Sequence, residues 1–452
     1  MPGGFPGRLA PRWAARLTAG LAALVVAGAV GGARAEPAAV FDWLTAIGSK
    51  TTVIEKNEAA EAAKQETAAT PRADALAVEV VGDRATTLFQ LTLSRGVTAE
   101  VYSLANPYRV IIDLPNLVFK LPQEAGRTGR GLVSAFRYGQ FEAGKARIVL
   151  DTTGPVAIAK AAMTNARDGN GVVLTVEMQP SSPAAFGAGT GSARRGPGTD
   201  NSLARSVETP RERKQEGERP VIVIDPGHGG IDPGAVGAGS LLEKSLVLTV
   251  ARKVSGRLAA TGRFEIVMTR SSDVFVSLSE RLALSRRHGA DLFISIHADS
   301  IEETFAQSIK GATIYTLSER ASDAEARAMA EKENASDLIA GLDAAEGEDN
   351  SQVKSILIDL LKRETANFSS EFSRTLVRKM RASVSLSRAP ERSAAFKVLR
   401  QTHAPSVLVE LGYVSNPEES RQMQSAEWQD KVAGSIVAAV EAYFAKRTVG
   451  PP

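Results

Sequence analysis

The stretch Val221-Ile222-Val223-Ile224-Asp225-Pro226-Gly227-His228-Gly229-Gly230 decides the fold. Four apolar β-branched residues in a row read as a strand buried on both faces. The Pro-Gly-His-Gly-Gly turn stops it and leaves an imidazole at its carboxyl end, where open α/β sheets carry their ligands. The same construction recurs at Ala290-Asp291-Leu292-Phe293-Ile294-Ser295-Ile296-His297-Ala298-Asp299. The 452 residues include four histidines, so two of them closing apolar strands point to a metal site. The chain has no cysteine; it forms no disulfide, and its metal ligands must be nitrogen and oxygen atoms.

Working outward, strands are predicted at 221–225, 264–269, 291–296, 310–317 and 406–411, with helices between them. Leu246, Val247, Val250, Val254 and Leu258 fall at helical spacing over 243–258, and Gly262 stops that helix. Ser277 and Glu280 form a capping box, and Gly289 closes the helix that follows. Asn416-Pro417-Glu418-Glu419 is a further helix start, and a final helix is predicted over 428–444. The alternation predicts an α/β domain over 220–447 with a twisted, largely parallel sheet flanked by helices. Between the fourth strand and Pro405 lies an acidic-then-basic helical stretch, 321–382, with a break at 341–350. So long an excursion from a compact domain is usually functional or mobile.

The preceding region has a different texture. Over 76–180, short β-type runs at 76–81, 87–93, 108–114, 146–151 and 172–176 are separated by turn signals such as Gly82-Asp83 and Asn106-Pro107. Strands at regular spacing without helices predict a small all-β sandwich. It holds no histidine and no acids at ligand spacing, so it reads as a binding or targeting unit, with a purely structural spacer as the alternative. Residues 181–219, rich in Gly, Ser, Pro and Arg, read as a flexible linker, and 36–75 as a poorly ordered leader. At the N-terminus, Arg8, Arg12 and Arg16 precede an apolar run that ends in Ala33-Arg34-Ala35. This is the pattern of a cleavable signal peptide over 1–35; a membrane anchor needs about 20 uninterrupted apolar residues. The formal charge is +3, and no basic stripe with aromatic partners marks a nucleic-acid interface.

Catalytic zinc takes three protein ligands, and two histidines with one carboxylate is an established set. His228 and His297 fit that set, with Asp225, Asp232, Glu243 and Asp299 as candidate carboxylates. Glu243 opens a helix directly after the Gly-rich 234–239 loop, which can fold it back toward His228; alternatively it serves only the helix N-terminus. Glu410 ends the apolar strand Val407-Leu408-Val409-Glu410-Leu411-Gly412. A carboxylate there is costly unless it is paired or functional, so it is either the proton-transfer group or a partner of Arg270. His288 reads as a helix-end cation, and His403 as a loop residue that either touches substrate or does nothing.

Taken together, Asp225-Pro226-Gly227-His228-Gly229-Gly230, Leu242-Glu243-Lys244, Met268-Thr269-Arg270, Ser295-Ile296-His297-Ala298-Asp299 and Val409-Glu410-Leu411-Gly412-Tyr413-Val414-Ser415-Asn416 resemble the motifs of a known family. They match, in order and over about half the chain, zinc-dependent N-acetylmuramoyl-L-alanine amidases of the periplasmic cell-separation type. The resemblance implies that His228, Glu243 and His297 hold Zn2+ and that Glu410 is the catalytic carboxylate. It implies cleavage of the amide between the lactyl group of N-acetylmuramic acid and the first L-alanine of the stem peptide. Glu410 would take a proton from the attacking water and pass it to the alanine nitrogen. Arg270 is a candidate substrate or support residue.

The 76–180 module is similar to the AMIN domain, which precedes such catalytic domains and directs them to the division site by binding cell-wall polymer. The 321–382 stretch is similar to the insert of activator-controlled members, in which a helix covers the zinc site and a glutamate takes the open coordination position. A LytM-type activator displaces that helix. Glu333 is the candidate for this glutamate, with Glu331 and Glu325 as rivals and a merely solvated charged face as the alternative. The resemblance thus implies a periplasmic enzyme whose partners are peptidoglycan and an activator, with no nucleic acid and no membrane span after signal cleavage. Two other readings stay open: a zinc peptidase or deacetylase acting on wall fragments, and a non-catalytic wall-binding scaffold.

Overall fold

The computed structural model describes residues 72–166, 169–183, 186, 218–300, 310–342, 356–401 and 403–448. The expected signal peptide, most of the leader, most of the linker and most of the 341–350 break lie outside them. Among the described residues no helix is long and apolar enough to cross a membrane.

The N-terminal part is a β-sandwich of nine strands. β1 (Ala73–Gly82), β2 (Thr87–Leu93), β5 (Leu117–Phe119), β8 (Val156–Asn165) and β9 (Val172–Pro180) form one sheet in the order β5-β1-β2-β9-β8. β3 (Glu100–Leu104), β4 (Arg109–Pro115), β6 (Val133–Glu142) and β7 (Lys145–Thr152) form the other, in the order β3-β4-β7-β6. Strict alternation along β2 turns Phe89, Leu91 and Leu93 inward, where they meet Val110, Ile112, Ile148 and Leu150 of the facing sheet. β3, β5, β6 and β8 were not among the predicted strands. β8 (Val-Ala-Ile-Ala-Lys-Ala-Ala-Met-Thr-Asn) is alanine-rich and an edge of its sheet, so neither propensity nor burial marks it.

In the C-terminal part, six strands lie in the order β11-β10-β12-β15-β13-β14: β10 (Val221–Pro226), β11 (Glu265–Met268), β12 (Leu292–His297), β13 (Ala312–Leu317), β14 (Leu386–Ala394) and β15 (Ser406–Glu410). All neighbours are parallel except β13 and β15. The β-branched run of β10 is buried on both faces, as its composition requires. Ile222 and Ile224 pack against α1 (Glu243–Ala260), α5 (Ile356–Met380) and α7 (Ala426–Thr448), whereas Val221 and Val223 join the core that contains Leu278 of α2 (Leu278–Arg287) and Met329 of α3 (Ala324–Glu333). Two short helices, α4 (Ser336–Ile339) and α6 (Pro417–Met423), complete the domain.

The 321–382 stretch is not one excursion. Phe372, Leu376, Val377 and Met380 of α5 sit at helical spacing and are buried beside Tyr443 and Phe444, so this half is a regular layer of the domain. Among its described residues, it is the part carrying α3 and α4 that lies over the carboxyl end of the sheet. β14 was missed because its sequence, Leu-Ser-Arg-Ala-Pro-Glu-Arg-Ser-Ala, lacks an apolar pattern; it is an edge strand, where proline is tolerated.

Candidate metal centre and active site

β10 and β12 are hydrogen-bonded neighbours, so His228, just past β10, and His297, the last residue of β12, come to the same edge of the sheet. Their rings lie 4.9 Å apart, centre to centre. His228 sits at φ 56°, a left-handed conformation that costs a non-glycine residue about 1–3 kcal/mol. The turn is held against that strain by two buried guanidiniums. Arg270 donates to the carbonyls of Pro226 and Gly227 (3.0 and 2.7 Å), and Arg281 to those of Pro226 and His228 (both 2.9 Å). Gly227 has to be glycine, because a Cβ there would lie 2.3 Å from the His297 ring.

The four candidate carboxylates separate cleanly. Asp225 is spent on structure: Arg281 and Thr269 donate to its Oδ1 (2.5 and 2.6 Å) and Ser295 to its Oδ2 (2.7 Å). Asp232 Oδ2 lies 2.8 Å from His228 Nδ1. A carboxylate accepts, so Nδ1 carries a proton and Nε2 is the nitrogen left to face the site. Asp299 pairs with Lys332. Glu243 alone turns toward both imidazoles: its Oε1 is 3.1 Å from His228 Nε2 and 3.2 Å from His297 Nδ1. Backbone N–H groups of Ala298 (2.9 Å, to Oε1) and Ala235 (2.8 Å, to Oε2) fix the carboxylate, which also opens α1.

A second carboxylate reaches the same point. Glu333, the last residue of α3, places Oε2 3.3 Å from His228 Nε2 and 3.1 Å from His297 Nδ1, and the side chain is buried. Its rivals lie elsewhere: Glu331 is exposed, and Glu325 binds Arg392 (2.7 Å) and the Tyr413 hydroxyl (3.1 Å). The ligand atoms of His228, His297 and Glu333 lie within 4.8 Å of one another.

This donor set fits a divalent cation. His228 Nε2 and His297 Nδ1 are buried, converge with two carboxylate oxygens, and make no hydrogen bond. Burial opposes charge on both imidazoles, yet Asp232, Glu243 and Glu333 raise His228 well above its ordinary range, and Glu333 with Glu243 lifts His297 to about 10. Burial likewise opposes charge on Glu243, and the imidazoles overcome it, holding that carboxyl well below its usual range. The pocket therefore demands positive charge, which a bound metal supplies and protons otherwise must.

Glu410 is directly opposite His297 in the β12–β15 register and fully buried. It accepts from the Asp299 N–H at Oε2 (3.1 Å), while Oε1 has no partner. Burial, with Asp299, Glu243 and Glu333 nearby, raises its pKa well above the usual carboxyl range against the pull of His297. The alternative pairing with Arg270 does not occur, since Arg270 spends its donors on the carbonyls of Pro226, Gly227, Lys244 and Ser272. Arg270 is accordingly placed as a support of the His228 turn. His288 caps α2 and is exposed; His403 is exposed, 3.4 Å from Ser285. Arg281 went unremarked in the sequence, because nothing local distinguishes a buried helical arginine from a solvated one.

A profile of N-acetylmuramoyl-L-alanine amidases matches residues 222–442, and a profile of the AMIN domain residues 77–176. N-acetylmuramoyl-L-alanine amidase AmiA of Escherichia coli K12 is 39% identical over 52% of this chain and 79% of its own length. The chain belongs to the N-acetylmuramoyl-L-alanine amidase family, and is therefore a hydrolase. The amidase AmiC of Neisseria meningitidis serogroup B is 30% identical over 76% of this chain and 83% of its own. The solved structure of the amidase AmiC2 of Nostoc punctiforme aligns at 26% identity and a TM-score of 0.36, over 50% of this chain and 98% of that one.

Proposed function

We propose that this amidase is a zinc enzyme that hydrolyses the bond between the lactyl group of N-acetylmuramic acid and L-alanine in peptidoglycan, and that α3 keeps it silent until an activator moves it. The observation that carries this reading is the convergence of His228 Nε2, His297 Nδ1 and Glu243 Oε1 on one point, with Glu410 in register beside it. His228, His297 and Glu243 would hold the metal. When bound, zinc polarises the scissile carbonyl and makes water acidic enough to attack at neutral pH.

The remaining chemistry belongs to the protein. Asp232 fixes the tautomer of His228 and raises its basicity as a ligand. Glu410 takes the proton of the attacking water at Oε1, which has no other partner, and delivers it to the departing alanine nitrogen. The Asp299 N–H holds the other oxygen, so Oε1 faces the reacting atoms. Glu333 fills the position that substrate needs, and Lys332, paired with Asp299, fastens the helix beside it. A partner of the LytM type would act by lifting α3. The N-terminal processing signal and the AMIN-type sandwich support a periplasmic enzyme working at the division site.

Mass spectrometry of digested muropeptides tests the reaction. An amidase releases intact stem peptides with free L-alanine amino ends, whereas a peptidase or deacetylase gives other fragments. A wall-binding scaffold would release nothing, and its phenotype would survive Glu410→Gln.

A further inference from the structure

The face of the β3-β4-β7-β6 sheet that points away from the sandwich core is covered, and what covers it is the end of the blocking segment. Ile111 of β4 and Val149 of β7 are fully buried on that face, in a cluster with Leu104, Phe141 and Ala340. Around them stand three arginines, each of which donates one N–H to one of three successive backbone carbonyls. Arg109 donates to Leu338, Arg137 to Ile339 at 2.8 Å, and Arg147 to Ala340 at 3.0 Å. Those carbonyls form the carboxyl end of α4, where cations are favoured; that of Leu338 also accepts from the Gly341 N–H at 3.0 Å.

The guanidiniums are built for this. Asp151 takes two bonds from Arg137 (both 2.8 Å), and Asp113 takes two from Arg147 (2.6 and 2.9 Å), which fixes each plane and leaves one donor direction outward. Gly341, at φ +76°, seats the chain: a Cβ there would lie 2.7 Å from Ile111 Cδ1. The sandwich is in turn fastened to the His228 turn. Gln140 accepts from Ile231 and Phe275 (3.2 and 3.3 Å), and the Phe141 and Phe275 rings stack at 5.7 Å.

We infer that the AMIN-type domain has a second function besides any wall binding: its arginine face is the clamp that holds α4, and through it Glu333 of α3, over the catalytic groups. This rests on the reading that α3 blocks the site. One end of the segment is pinned by Glu333 and Lys332, the other by the sandwich, and Asp337 between them accepts from the Leu278 N–H at 3.0 Å. Release then requires the β-domain to let go, so a force or ligand on that domain reaches the active site.

The test uses the full chain without activator and reads dye release from labelled peptidoglycan together with amide exchange over 324–342. One variant alters the sandwich with charge kept balanced, Arg137→Gln with Asp151→Asn; the other alters the segment, Gly341→Val. Each is expected to raise basal activity at least about fivefold, the low end of ordinary coupling between sites, and to speed exchange in the segment. In a Glu333→Ala background neither should add anything further. Unchanged activity and exchange in both clamp variants, while Glu333→Ala alone activates, would overturn the clamp and leave blocking by α3 intact. If Glu333→Ala itself fails to activate, the blocking reading falls, and the clamp with it.

Discussion

At the carboxyl ends of β10, β12 and β15, the buried groups left over once internal hydrogen bonds are made include the lone pairs of His228 Nε2, His297 Nδ1 and Glu410 Oε1. On the outer face of β4, β6 and β7 they are N–H donors, carried by Arg109, Arg137 and Arg147. Both regions bury charge in pairs, Asp225 with Arg281 in one and Asp113 with Arg147 in the other. What differs is the sign of the remainder. Surplus acceptors suit a cation, and surplus donors suit the carbonyls of a helix end. The same segment, 324–341, reaches both, adding the Glu333 carboxylate to the first set and backbone carbonyls to the second.

The comparison is broken most directly at the acceptor end. Glu410→Gln removes the proposed proton acceptor while keeping the shape, and should cut turnover by about 10²–10⁴-fold with metal content unchanged, read by chromatography of released stem peptides. Loss of metal along with activity would show that Glu410 is a ligand rather than a base. Next in size, Arg281→Met strands Asp225 as an unpaired buried charge, and should cost about 3–5 kcal/mol in denaturant unfolding. Arg147→Met should cost less, because Lys145 Nζ still lies 3.1 Å from Asp113 Oδ2; an equal loss would mean that Lys145 does not hold the Asp113 charge.

Asp232→Asn tests how the acceptors are aimed. It should weaken metal binding about 10–100-fold against a chromogenic chelator, with little change in fold. The smallest effect is on acid stability. Burial raises Asp225 and Asp113, but Arg281 with Thr269 and Ser295, and Arg147 with Lys145, bring both below their ordinary values. A depressed carboxylate contributes fully above its unfolded pKa of about 3.9 and loses that contribution as pH falls through the folded one. Unfolding midpoints should therefore drop below about pH 4, and Asp113→Asn should flatten that slope.

The sequence was most readable where one residue's surroundings are its own neighbours in the chain. The β-branched run before His228 and the apolar run before His297 announced parallel buried strands, because only such strands need apolar residues on both faces. Glu243 stood out among four candidate carboxylates by opening a helix after the Gly-rich loop, but that position served a helix N-terminus equally well. What separated them was the presence of Arg281, Thr269 and Ser295 around Asp225 and of Lys332 beside Asp299, groups tens of residues away. Edge strands such as β14 escaped because solvent relaxes the demand for pattern. Half of the supposed insert turned out to be a core layer, and the helical spacing of Phe372, Leu376 and Met380 was the signal that marked it.

From its residues alone this chain determined its two fold classes, its two imidazoles and the acid that ends β15, since local burial and strand polarity follow directly from residue type. Tertiary structure alone decided which carboxylates meet those imidazoles, that Glu333 joins them, and that three arginines of the sandwich hold the end of the same segment. The reason is physical: a hydrogen bond or a charge pair is set by distance and direction in space, and residues 137 and 339 acquire both only after two separate sheets have packed.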